Sequence, residues 1–230
     1  MNESLKMTHG EYHRELVQRL TSQVKPSRRL WSVPVRLGLW LVLEIGILAW
    51  VMRGGWSNFL QRLEQPAYVV EAFFFGCTAI ILGALALRSA IPGRDLRARE
   101  ATLAAVLALA ATILISAVTP MNISYPLNEF IQVGLQCALR IALYGALPLA
   151  ALWWMVRRGA PFQGGLSGLL VGGSAFFFAF AILRIECPIN EPLHIIVWHL
   201  LPALALTGVS AVAGARWLKF RSRFRRHDSD

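Results

Sequence analysis

The sequence predicts an all-α membrane protein: a polytopic helical bundle of six transmembrane helices with the N- and C-termini both cytoplasmic. Three observations predict it. Hydrophobic residues make up 56% of the 230-residue chain and charged residues only 16%, where a soluble domain carries about a quarter charged. Several apolar runs approach or exceed the roughly 18 residues at which a membrane span is the default reading. Finally, 19 of the 23 Lys and Arg fall on one side of the runs, Arg53 and Arg62 on the other, and Arg140 and Arg184 inside them. Positive charge collects on the cytoplasmic side of a membrane protein.

Residues 1–34 form a cytoplasmic tail. In it Tyr12, Leu16, Leu20 and Val24 recur every four residues with Val17 beside them, and Arg14, Glu15, Gln18 and Arg19 fill much of the other face. That period predicts a short amphipathic helix ended by Pro26. Its apolar stripe suits either the lipid surface or a groove on a protein partner, and the acids among the bases weigh against lipid. Lys25, Arg28 and Arg29 form the membrane-proximal anchor. The first 30 residues lack the apolar stretch of a cleavable signal.

Residues 35–216 form the transmembrane domain, with spans near 35–53, 67–90, 101–119, 134–156, 165–185 and 193–216. Alternating strands of about ten residues, the mark of a membrane barrel, are absent, and helices satisfy their own backbone in lipid. Trp31, Trp153, Trp154 and Trp217 mark one boundary and Trp50, Trp56 and Trp198 the other. The fifth span begins "QGGLSGLLVGG", where Gly164, Gly168 and Gly172 recur every four residues. Small residues at this spacing let helices approach closely, within the chain or across a homodimer. Residues 217–230 form a basic cytoplasmic tail. The formal charge of +10 sits in short clusters beside apolar runs, an arrangement for membrane topology rather than for nucleic acid.

The stretch "IECPINEPLHIIVWH", residues 185–199, concentrates the chemistry. It holds Cys187, two prolines, Glu186, Glu191, His194 and His199 between two apolar runs. At about 1.5 Å rise per residue, Cys137 and Cys187 both emerge at the non-cytoplasmic end of the bundle. In a bacterium that side is oxidising and lets disulfides persist. Cys77 lies mid-span and reads as a small buried hydrophobe. Arg140 follows Cys137 by three residues and Arg184 precedes Cys187 by three, each on its cysteine's helix face. A neighbouring cation favours thiolate. Glu71 is at similar depth and is the natural counter-ion, and Glu44 lies nearer mid-span. These charges serve to tune the thiols or to pair helices, and the two roles are compatible. His194 and His199 are five apart, some 140° around an α-helix, so at most one is expected to join Cys137 and Cys187 as a metal ligand. No obligatory cofactor is expected; the two cysteines could take a transient heavy-metal ion or close a disulfide.

Several segments together resemble the NrsF-like anti-sigma factors, multi-pass proteins of the bacterial inner membrane named as negative regulators of sigma F. They are "LVQRLTSQVKPSRRLWSVPVRLGLWL", "SAIPGR", "LQCALR", the glycine-rich fifth span and "ECPINEPLHIIVWHLLPAL". The resemblance implies that the N-terminal tail holds an extracytoplasmic-function sigma factor. It also implies that two cysteines, here Cys137 and Cys187 by context, are required for the response to oxidant or heavy-metal stress. The sigma-binding residues would then be Tyr12, Leu16, Val17, Leu20 and Val24.

Two other classes compete. A thiol-based membrane oxidoreductase would use the same cysteines, but no CxxC or second pair is present for relay. A small transporter could line a path with Arg140, Arg184, Glu44 and Glu71, but no inverted repeat is evident. No Ser/His/Asp set, HExxH or phosphate loop occurs, and the chain is not expected to be an enzyme.

Overall fold

Apolar runs bounded by prolines and small residues set the helix ends. The computed structural model describes residues 13–15, 17, 18, 30–53, 64, 66–91, 102, 106, 110, 126–159, 161 and 163–218. Helix α1, Val33–Met52, starts after Ser32 with Pro34 in its first turn, where a missing N–H costs nothing. Helix α2 is Pro66–Ser89, α3 is Leu127–Arg157 and α4 is Gly164–Glu186. The last rod comprises α5, Pro192–Ile195, a π-helical turn, Ile196–Leu200, and α6, Leu201–Trp217. Among the described residues there is no strand.

Five helical segments are long and apolar enough to cross a membrane, and they mark a membrane protein. They match five of the six expected spans to within two residues at most ends. The exception is α3, which starts at Leu127 rather than near 134. The added turns are held because Phe130 packs edge-on against His194 and Trp198. The expected span at 101–119 lies outside the described residues, except that Thr102, Val106 and Ala110 are helical.

The chain divides into two units, Met1–Leu30 and Trp31–Asp230. In the first, His13–Glu15, Val17 and Gln18 are helical. In the second, α4 is the central helix. Within its most apolar window 83% is buried, against 22–44% for the other four. The outer helices turn apolar side chains outward, as at Val42, Leu143 and Val209, which suits a lipid surround rather than water.

The first half of helix α4 can be central because its own surface is small. A side-chain carbon at Gly168 would meet the Ser210 carbonyl and the Gly214 backbone of α6, and one at Gly172 would meet Ser210 and Thr207. Gly173 faces Leu82 of α2 and Gly165 faces Ala215 of α6. The glycine rows are therefore packed inside the chain, against α6 and α2. Hydroxyls add hydrogen bonds at these close approaches: Ser174 Oγ donates to the Ala79 carbonyl at 2.8 Å and Ser210 Oγ to the Gly168 carbonyl at 2.8 Å. Farther along α4, Phe180 stacks on Phe75 of α2 with centroids 4.0 Å apart.

Candidate sensing site at one end of the bundle

Cys187 owes its position to Pro188. A residue before proline is pushed out of the helical region, and Cys187 is extended, with φ −72° and ψ 121°, as the C-cap of α4. Its N–H still donates to the Leu183 carbonyl at 2.8 Å. The thiol is thus fixed at the helix end. Cys137 lies on the buried face of α3 together with Gly134, Ile141 and Tyr144.

The two sulfurs are 3.8 Å apart, although 50 positions separate them. Cys187 Sγ is 3.7 Å from His194 Nε2. One potential ligand atom from each of Cys137, Cys187, His194 and His199 lies within 4.8 Å of all the others. All four residues are buried, at 5%, 2%, 0% and 0% exposure. The hydrogen bond donated by the Cys137 thiol holds the Cys187 thiol below its ordinary pKa; burial opposes this and His194 adds to it.

Both histidines lie beside the cysteines, where the sequence led to the expectation of at most one, and the π-turn is the reason. An α-helix bonds residues four apart, whereas here Leu201 N–H bonds the Ile196 carbonyl, five apart. This wider turn brings residues five apart toward one face, and the His194 and His199 rings lie 5.2 Å centroid to centroid. Such single π-turns inside helices recur at functional sites. Phe130 and Phe180 bring ring edges to His194 and His199 respectively. His199 interacts with the Cys187 thiol, yet among the described residues neither of its ring nitrogens makes a hydrogen bond of good geometry. Trp198, placed by the sequence at the membrane boundary, is half-buried over Gly134, where a side-chain carbon would collide with its ring.

Both arginines donate hydrogen bonds to carboxylates. Arg184 Nε donates to Glu71 Oε2 at 2.8 Å, with both side chains buried. Its other nitrogens reach the Ile189 carbonyl at 3.2 Å and Asn190 Oδ1 at 3.3 Å. Arg184 therefore ties the loop that carries Cys187 to α2. Arg140 Nη1 donates to Glu186 Oε1 at 2.7 Å, and the Tyr144 hydroxyl donates to Glu186 Oε2 at 2.6 Å. Glu44 is buried apart from these pairs, and neither of its oxygens has a hydrogen-bond partner among the described residues. Glu186, Tyr144 and Asn190 were not assigned to the site from sequence. Tyr144 was legible, since 137, 140, 141 and 144 fall on one helix face. Glu186 and Asn190 depend on which helices meet.

The profile of the NrsF family, described as negative regulator of sigma F, matches residues 20–220. The chain belongs to the NrsF family. The match covers both cysteines, both histidines and both arginine pairs of this NrsF-family chain, and it starts at Leu20, after Tyr12, Leu16 and Val17 of the tail. No curated protein and no solved structure matches the chain. Of the five tail residues only Val17 lies among those described, and it is exposed. Tyr12, Leu16, Leu20 and Val24 lie outside them.

Proposed function

We propose that this NrsF-family chain is an anti-sigma factor of the bacterial inner membrane that holds an extracytoplasmic-function sigma factor through its N-terminal tail. It releases the sigma factor when the Cys137–Cys187 pair reacts. Both termini are cytoplasmic, by the distribution of Lys and Arg, and the cysteine end of the bundle faces the other way. The tail's apolar stripe, Tyr12, Leu16, Val17, Leu20 and Val24, lies against the sigma factor.

The single observation that carries the sensing half is the meeting of two thiols from different helices at one buried point. A bond through both sulfurs joins α3 to the loop at 187–191. A soft metal ion can make it. So can a peroxide, which takes two electrons and two protons from the thiols, joins the sulfurs and leaves reduced. Either event shifts a two-state bundle only as far as it favours one state over the other; moving a population from about 1:99 to 99:1 takes about 5.5 kcal/mol.

The test is expression of the sigma-dependent regulon under metal or peroxide stress, at matched protein abundance. Cys137→Ser, Cys187→Ser and the double variant should all repress and all fail to induce, while Cys77→Ser responds normally. Leu16→Glu or Leu20→Glu should make the regulon constitutive, because an unpaired charge in an apolar groove costs more than about 2 kcal/mol. Normal induction in the double cysteine variant overturns the sensing role. Full repression by both tail variants overturns the docking role.

A further inference from the structure

We propose that Cys137, Cys187, His194 and His199 form one four-coordinate centre for a closed-shell divalent ion of borderline softness, of the zinc or cadmium class. The π-turn at Ile196–Leu200 is the part of the fold that supplies the fourth ligand. As a sensor the centre rests on the role proposed above; as a ligand set it stands on geometry alone.

Distances come first. Two thiolates each about 2.3 Å from a tetrahedral zinc lie about 3.8 Å apart, and a thiolate and an imidazole nitrogen about 3.6 Å apart. The observed separations are 3.8 Å between the sulfurs and 3.7 Å from Cys187 Sγ to His194 Nε2. Two thiols in simple contact would also sit this far apart, so the histidines decide the matter. His199 is fully buried; it interacts with the Cys187 thiol, but among the described residues neither of its nitrogens makes a hydrogen bond of good geometry. A buried polar group left so is costly, and a metal ion at the centre of the four atoms would satisfy it.

Charge selects the ion. On binding, the two thiols lose their protons and the histidines stay neutral. Two thiolates then cancel a divalent charge and leave a neutral centre. A monovalent ion would leave a net negative charge at residues that are at most 5% exposed, which is unfavourable in a low-dielectric site. The nearby arginines do not alter this balance, since Arg184 is paired with Glu71 and Arg140 with Glu186. A sulfur–nitrogen set of two and two in tetrahedral array is the donor set of zinc-type ions. The four ligands come from α3, the loop at 187–191, α5 and the π-turn, so one ion ties together three spans.

The experiment uses the reduced full-length protein in detergent, with zinc and cadmium affinity measured by chelator competition and cobalt as a spectroscopic probe. One ion per chain is expected, with the intense visible bands of tetrahedral cobalt and a thiolate charge-transfer band. Removing a direct ligand by Cys137→Ser, Cys187→Ser, His194→Ala or His199→Ala should weaken binding by more than the about 10–100-fold typical of changes one shell farther out. Cys77→Ser should bind as the parent. His199→Cys, which keeps a ligand, should retain binding and strengthen the charge-transfer band. Wild-type affinity and an unchanged cobalt spectrum in His199→Ala, no strengthening in His199→Cys, or no zinc binding by the parent would each overturn the centre. Failure of the regulon to depend on the cysteines, with the cobalt centre intact, would remove the sensing role and leave the site.

Discussion

The two ends of the bundle are built from opposite materials. At the end that carries the 187–191 loop, contacts are made by ionisable groups: Arg184 with Glu71, Arg140 with Glu186, and the thiols with histidines. At the other end, small residues and backbone make them. Gly168 lies on Gly214, Gly159 lies on Ala90, and Ser89 Oγ and Ser167 Oγ are 2.9 Å apart. The one buried cation described there, Arg36, reaches only carbonyls, Leu87 O at 3.4 Å and Met155 O at 3.5 Å. Steric contact between backbones has a single arrangement, since packed interiors transmit strain rather than absorb it. Contact between charged or ligating groups depends on protons, electrons and ions. One end is thus held by contacts that depend on protons, electrons and ions, and the other by steric fit.

Three tests can break or sharpen this contrast. The largest effect is expected from removing one partner of the buried ion pair. Arg184→Leu or Glu71→Leu strands the other charge and should cost about 3–5 kcal/mol, with much of the loss recovered in the double variant. Denaturant unfolding in mild detergent measures both. A double variant no better than the singles would mean that Arg184 acts chiefly through Ile189 and Asn190, as the strap on the cysteine loop.

At the other end, Gly168→Leu forces α4 and α6 apart and should cost about 1–3 kcal/mol or more by overpacking. The same unfolding measurement applies. It should also lower the yield of folded protein while leaving the spacing of the thiols, read by metal binding per folded chain, unchanged. Loss of metal binding in the folded fraction would show that the two ends are not mechanically separate.

The smallest effect is expected for Ser210→Ala. It removes the 2.8 Å hydrogen bond to the Gly168 carbonyl and leaves the steric fit intact. Hydrogen bonds between membrane helices average about 0.6 kcal/mol. A shift well beyond that in the unfolding midpoint would show that the small-residue end is held by polar bonds rather than by fit.

By itself, the sequence determined what depends on neighbours along the chain. Run length and composition placed five of the described helices, because a span must be long, apolar and self-bonded. Pro188 and Pro192 placed the loop, and counting rise per residue placed both cysteines at one end. The likeness of "LQCALR" and "ECPINEPLHIIVWH" to the NrsF pattern pointed to the family whose profile matches residues 20–220. What the tertiary structure alone decided is which groups meet. Arg140 lies three residues after Cys137 but pairs with Glu186, and the glycine rows of α4 meet α6 and α2. His194 and His199 diverge on any regular α-helix and converge only through a π-turn. A π-turn lacks the periodic signature of a helix or a strand, because it is one residue of excess in an otherwise regular rod, stabilised by what its side chains find across the bundle.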